Sequence, residues 1–182
     1  MVYGLYKEAD KLVETNGNMS LNLRPGCVHA IGTLMALGVG DRVLWLGSGN
    51  GPEMISLALL HPQVTFIGIE RQRGAVEVTQ RKIMELQQRG YPLRNITMHV
   101  CDIMDGWCGN GHTHVYTIAM EGPCFYQQVR ALARGCRAVM FKEIWHGDIP
   151  PNSSARTVFF SGPGGRRQLV AAYVPRTSGR EA

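Results

Sequence analysis

One stretch constrains the fold more than any other: Asp41-Arg-Val-Leu-Trp-Leu-Gly47-Ser-Gly49-Asn-Gly51-Pro-Glu53. Val43 to Leu46 is a short apolar run, which reads as a buried strand. Gly47, Ser48, Gly49, Asn50 and Gly51 make an abrupt turn open only to a backbone with little side chain. Pro52 and Glu53 then start a helix, with proline at its first position and an acid in its first turn. Ile55, Leu57, Ala58, Leu59 and Leu60 supply its buried side, and His61-Pro62 ends it. The next strand, Val64 to Ile69, runs into Glu70, which lies 19 residues beyond Gly51.

Strand, glycine turn, helix, strand and acid together form the unit with which an open parallel sheet holds an adenosine. The glycines let backbone approach a ligand, and the acid accepts from ribose hydroxyls. A glycine repeat alone is weak evidence; between a strand and a helix, with the acid at this offset, it is much stronger. A tight turn with no ligand is the competing reading.

Composition fits that unit. A chain of 182 residues, 45% apolar and 18% charged, forms one globular domain with a sizeable core. We read residues 1–182 as a single domain, with 1–23 as an N-terminal arm or flap. The first residues have no apolar core of signal-peptide type, no run reaches membrane-spanning length, and no internal repeat is visible. Five cysteines, without a Cys-x-x-Cys, fit a reducing intracellular setting, cytoplasm or nucleus. Cys101, Cys108, His112 and His114 match no compact zinc module, so no metal is expected. The net charge of +5 permits an acidic partner. Arg156, Arg166, Arg167, Arg176 and Arg180 concentrate late, as a solvated basic rim or as a nucleic-acid contact.

In chain order, Leu5 to Val13 reads as a short helix, and Arg24-Pro25-Gly26 opens a second through about Leu37, with Val28, Ile31, Leu34, Met35 and Leu37 on its apolar side. After Glu70, Ala75 to Arg89 is helical, carrying Val76, Ile83 and Leu86 near one face. Ile96 to Cys101 is a third strand, followed at once by Asp102 and Ile103. Val115 to Met120 is a fourth strand, Tyr126 to Ala133 a helix and Ala138 to Phe141 a fifth strand. Arg156 to Phe160 and Gln168 to Val174 close the chain as a hairpin across Ser161-Gly-Pro-Gly-Gly165. The expected fold is an α/β, Rossmann-like three-layer sandwich, with a mostly parallel seven-stranded sheet ending in an antiparallel hairpin. Its carboxyl edge collects Gly47 to Gly51, Glu70, Asp102, Met120-Glu121 and Lys142-Glu143.

Leu46-Gly-Ser-Gly-Asn-Gly51, Gly68-Ile-Glu70, Cys101-Asp102-Ile103 and the terminal hairpin resemble the class I S-adenosylmethionine-dependent methyltransferases over nearly the whole chain. The resemblance implies S-adenosyl-L-methionine as cofactor. It implies cofactor contacts by Gly47, Ser48, Gly49, Asn50, Gly51, Glu70, Arg71, Asp102, Ile103 and Met120. In such enzymes the methionine part wraps the glycine turn, the acid at Glu70 binds ribose, and Asp102 with Ile103 holds adenine. Tyr3-Gly4, Leu-Gly-Ser-Gly, Gly-Ile-Glu-Arg and the stretch from Val115 to Phe141-Lys142 are similar to the non-SET histone lysine methyltransferases. Met120-Glu121 stands where that family carries paired asparagines. Met19 to Asp41 equally resembles the protein carboxyl methyltransferases that repair isoaspartate. Trp45 stands where most of the class carries an acid that orients the methionine ammonium. It cannot accept a hydrogen bond, so either Glu53, Asn50 or a backbone carbonyl substitutes, or binding is weak and the domain is degenerate. Trp45 itself reads as core, the commoner place for a tryptophan in a strand.

The sulfonium is already an activated donor, so the chain's task is positioning and desolvation. Glu121 is the candidate catalytic carboxylate beside the transferred methyl, or a charge at the start of the following helix. Lys142 is the second candidate catalytic residue; Glu143, His146 and Asp148 follow it as pocket or as solvated loop. Phe125, Tyr126 and Trp145 read as acceptor stackers or as core. The expected function is methyl transfer to a protein side chain such as lysine. An RNA methyltransferase acting on a cap or base is the alternative, as is an inactive binding domain.

Overall fold

The computed structural model describes residues 25–107, 109–117, 123–141, 154–162 and 165–173. The expected Leu5–Val13 helix and the arm over residues 1–23 lie outside them. In chain order the elements are α1 (Pro25–Leu34), β1 (Arg42–Leu46), α2 (Pro52–Leu60), β2 (Thr65–Glu70), α3 (Arg73–Gln88), β3 (Ile96–Val100), a 3-10 turn (Ile103–Asp105), β4 (His114–Thr117), α4 (Pro123–Leu132), β5 (Ala138–Phe141), β6 (Ser154–Gly162) and β7 (Gly165–Tyr173).

The architecture is α/β and Rossmann-like. The strands lie in the order β3-β2-β1-β4-β5-β7-β6. β3, β2, β1, β4 and β5 pair parallel, each with its neighbour in that order. β7 runs antiparallel to β5, and β6 antiparallel to β7. Alternation along β1 sends its side chains to two cores. Val43 and Trp45 join Val28 and Ile31 of α1, Met54, Ile55 and Leu57 of α2 and Leu86 of α3 on one face. Leu44 and Leu46 join Ile67, Ile69, Val115, and Phe125 and Val129 of α4 on the other.

Several boundaries differ from those expected. α1 stops at Leu34 rather than Leu37, because Ala36 takes a left-handed φ of 49° that ends the helix. α4 starts at Pro123, three residues before Tyr126, because proline suits a first helical position. β6 and β7 are longer than expected, pairing from Ser154↔Tyr173 to Gly162↔Gly165. Ser161, Gly162 and Gly165 therefore belong to the ladder, where the glycine-rich link reads as turn from sequence. β4 is described only to Thr117, so the expected continuation to Met120 lies outside the described residues.

Side chains tie the layers together at the amino edge of the sheet. Asn95 Nδ2 donates to the carbonyls of Val64, Ala58 and His61 at 2.8, 3.2 and 3.2 Å, joining the end of α2 to the entry into β2. Asp41, fully buried ahead of β1, accepts from the Gly38 amide at 2.8 Å and pairs with the Arg137 guanidinium. Thr113 Oγ1 lies 3.2 Å from Asp41 Oδ1 and 2.7 Å from His114 Nδ1, so its proton is shared between them. His114 Nε2 lies 2.9 Å from the Met35 carbonyl, which only accepts, so the ring carries its hydrogen on Nε2. The segments before β1, β4 and β5 are thus bound to one carboxylate.

Burial pushes the His114 pKa below its ordinary value of 6.5, against a smaller upward effect of its bond to the Met35 carbonyl. The unfolded chain then binds this proton more readily than the fold does. Its contribution is fully present above pH 6.5 and is lost as pH falls below that value toward the lowered folded pKa. Urea midpoints should therefore fall between pH 7.5 and 5, and His114→Gln should flatten that part of the slope. An unchanged slope in the variant rules His114 out as its source.

Candidate functional site

The carboxyl edge is assembled from β1, β2 and β3 and the segments that leave them. After Leu46 the chain must turn sharply to enter α2. Gly47, Gly49 and Gly51 all take positive φ, at 69°, 53° and 69°. The turn hangs from β2: the amides of Gly47 and Ser48 both donate to the Ile69 carbonyl, at 2.9 and 3.1 Å. Ser48 is buried, with its Oγ 3.5 Å from the same carbonyl. The Gly51 amide donates to the Ser48 carbonyl at 3.0 Å, and the Gly51 carbonyl accepts the first bond of α2 from Ile55 at 2.9 Å.

Glu70, half-buried at the end of β2, is the hub of this edge. Its Oε2 accepts from the Gly49 amide at 3.0 Å and its Oε1 from the Gln72 amide at 2.9 Å. A carboxylate offers about four lone-pair sites, so each oxygen keeps one for a ligand. Its own carbonyl accepts from the Cys101 amide at 3.1 Å, which extends the β2–β3 pairing past Val100. That bond sets Asp102 beside Glu70 at the next strand end. Asp102 is half-buried, and its Oδ1 accepts from the Met104 amide at 2.9 Å, capping the 3-10 turn. Ile103 is buried in the second core, below that cap. Arg71 is exposed beside Glu70, and Asn50 is half-buried in the turn.

Gly47, Ser48, Gly49, Asn50, Gly51, Glu70, Arg71, Asp102 and Ile103 thus gather at one edge. Met120, Glu121, Lys142, Glu143, Trp145, His146 and Asp148 lie outside the described residues, as do Arg176 and Arg180. Arg156 falls on β6, and Arg166 and Arg167 fall on β7. Phe125 is core, not a stacker on a bound molecule. Cys101 follows the carboxyl end of β3, whereas His112 and His114 stand at the amino end of β4, so these three are not brought together, and Cys108 lies outside the described residues. Among the described residues no group of three or more His, Cys, Asp or Glu could hold a metal.

Trp45 resolves its own ambiguity. It is 1% exposed, on the face of α1 and α2, with its ring 3.9 Å from that of Tyr116. It neither fills the turn nor competes with Glu70. Glu53, one suggested substitute for the missing acid, is buried in the first turn of α2.

Thr79 is a contributor that sequence reasoning missed. Fully buried on α3, it bonds the Ala75 carbonyl at 3.0 Å and the Gly49 carbonyl at 3.4 Å. A Cβ at Gly51 would stand 2.6 Å from its methyl carbon, so helix and turn are in direct contact. The available signal was a polar residue on the Val76–Ile83–Leu86 stripe.

The family model described as protein-L-isoaspartate(D-aspartate) O-methyltransferase (PCMT) matches residues 5–133. No curated protein sequence matches the chain. Among solved structures, an RNA methyltransferase of Salinibacter ruber in complex with S-adenosyl-L-homocysteine is similar at 20% identity and a TM-score of 0.64, covering 86% of this chain and 95% of that one. A SAM-dependent O-methyltransferase of Thermotoga maritima is similar at 14% identity and TM-score 0.63, covering 91% and 72%. A tRNA (m1A58) methyltransferase of Aquifex aeolicus is similar at 12% identity and TM-score 0.67, covering 91% and 75%. At such identities these likenesses speak to the fold alone. No helix among the described residues is long and apolar enough to cross a membrane.

Two turn glycines should respond differently to substitution. A Cβ at Gly49 meets nothing within 4 Å, whereas one at Gly51 collides with Thr79. Gly49→Ala should cost about 1–2 kcal/mol of stability, the strain of a left-handed alanine. Gly51→Ala should cost more. Urea unfolding of the two variants measures the order, and equal losses contradict the close approach of α3.

Proposed function

The chain belongs to the protein-L-isoaspartate(D-aspartate) O-methyltransferase family, and from that premise we propose that it methylates a carboxylate oxygen of a protein side chain. It is an S-adenosyl-L-methionine-dependent methyltransferase. The family match favours an oxygen acceptor and lends no weight to lysine.

The observation that carries the cofactor assignment is the Glu70 carboxylate, fixed by the Gly49 and Gln72 amides at the mouth of the glycine turn. The residues suit an adenosine. Open space in front of Gly49 is space that a side chain would fill. Glu70 would accept from both ribose hydroxyls through its remaining lone pairs. Asp102, one strand away, would accept from the adenine amino group, with Ile103 beneath the ring. Gly47, Ser48, Asn50 and Gly51 would line the methionine part, with Arg71 and Met120 flanking. The bound cofactor supplies a methyl group on an electrophilic sulfonium, so the protein has only to align an acceptor and exclude water.

A carboxylate acceptor is already ionised near neutral pH and needs no base. Glu121 would then shape the methyl channel, and Lys142 would attract the acceptor's charge. An amine acceptor would need Glu121 to take its proton. RNA is the second reading, supported by the net charge of +5 and the late arginines.

Calorimetry with S-adenosyl-L-homocysteine tests the cofactor pose. Glu70→Ala should weaken binding by about 1–3 kcal/mol, the loss expected for a charged acceptor. Unchanged affinity removes the ribose assignment. Labelled methyl transfer to an isoaspartyl peptide, to histones and to RNA tests the acceptor, and label on the peptide alone is expected. With that peptide Glu121→Gln should keep most turnover. A fall of about 10²–10⁴-fold is what loss of a general base predicts and would point to an amine.

A further inference from the structure

We propose that two copies of this chain join through β3, edge to edge and antiparallel, so that their sheets continue into one. β3 ends the strand order, and among the described residues no strand pairs with its outer side. An open edge is a row of unsatisfied donors and acceptors, and proteins blunt such edges with lysine, proline or a bulge. Ile96-Thr-Met-His-Val100 carries no proline, lysine, arginine or carboxylate, and it pairs with β2 residue for residue without a bulge. This edge is therefore open to a further strand.

The backbone fixes how the second copy adds. The Asn95 carbonyl accepts from the Phe66 amide at 2.7 Å, and the Cys101 amide donates to the Glu70 carbonyl at 3.1 Å. Backbone groups alternate sides along a strand, so Asn95, Thr97, His99 and Cys101 serve β2. Ile96, Met98 and Val100 present their amides and carbonyls outward. In an antiparallel pair, residues directly opposite each other exchange both hydrogen bonds. A two-fold axis through Met98, perpendicular to the sheet, sets Met98 opposite Met98 of the second copy and Ile96 opposite its Val100. Every outward group is then paired. No other antiparallel register uses all three residues of both copies.

The side chains agree with that register. Arg94, exposed ahead of β3, falls opposite Asp102 of the second copy. Asp102 still has extended backbone past β3, with φ −80° and ψ 131°. Opposite charges therefore meet at both ends of the pair, and this complementarity selects a second copy as the occupant. Ile96 and Met98 pack against the first core, on the face that α3 covers, and alternation puts Val100 on the same face. Gln87 Nε2 donates to the Leu93 carbonyl just ahead of β3, so Met84, one turn earlier on α3, lies toward the outer side. The axis brings the two α3 helices side by side on that face. Met84 and Val100 are 54% and 43% exposed, and the second copy covers both.

Sedimentation equilibrium of the full chain from ~1 µM to ~1 mM, the window in which small interfaces associate, tests the proposal. The average mass should rise from one chain to two, and a single-chain mass throughout overturns it. Val100→Pro deletes an outward donor at an exposed position, so it should stay monomeric over that range and melt with dilute wild type. Undiminished dimerisation of this variant overturns the proposal. The charged ends test the register without touching the ladder. Arg94→Glu alone and Asp102→Lys alone each set like charges opposite and should associate about tenfold more weakly. An equal mixture of the two restores both attractive pairs and should associate as wild type does. A mixture no tighter than either variant alone overturns the proposal.

Discussion

The site depends on one carboxylate that serves the backbone before it serves any ligand. Glu70 accepts from Gly49 ahead of α2 and from Gln72 ahead of α3. It therefore joins the turn leaving β1 to the turn leaving β2. Hydrogen bonds to an ionised acceptor are about twice as strong as neutral ones. That charge adds to the bonds by which the Gly47 and Ser48 amides already hang the turn from the Ile69 carbonyl. Thr79 braces the same turn from below through the Gly49 carbonyl, so the turn is held by a strand end and a helix together. Such a cradle is formed ahead of binding, which lowers the ordering cost of taking up a ligand.

A second carboxylate organises the opposite edge. Asp41 gathers the Gly38 amide, Thr113 and Arg137. This fixes where β1, β4 and β5 begin. Between the two edges the sheet is clamped by cores on both faces. The carboxyl edge is thus carried by rigid strands whose starts are locked, while turns decide what stands at their ends. Rigid strands with variable ends suit a fold that serves many acceptors. The similar structures carry RNA and O-methyltransferase descriptions on one scaffold.

Much of this was legible in the residues. The glycine turn, the acid after the second strand and the acid after the third are separated by spacings that only a parallel strand–helix–strand path brings together. Element ends were less legible. α1 ended early because Ala36 adopted a left-handed conformation that no alanine announces. The glycines at 162 and 165 suggested turn but joined a ladder, since pairing partners decide between the two. Trp45 was ambiguous until alternation along β1 assigned it a face. Thr79 showed only as a polar residue on an apolar helix stripe, and Asn95 carried no readable signal, because each acts through atoms far away in sequence.

The chain by itself determined the order of its elements, the location of its sharpest turn and the chemistry available at the strand ends. Those follow from local rules: side-chain period, backbone freedom at glycine, and the fixed geometry of proline. Tertiary structure alone decided which polar groups meet. Asp41 finds Arg137, Asn95 finds the end of α2, and Thr79 finds the Gly49 carbonyl. The reason is physical: a buried polar group takes its energy from a partner's distance and angle, and no stretch of sequence encodes either.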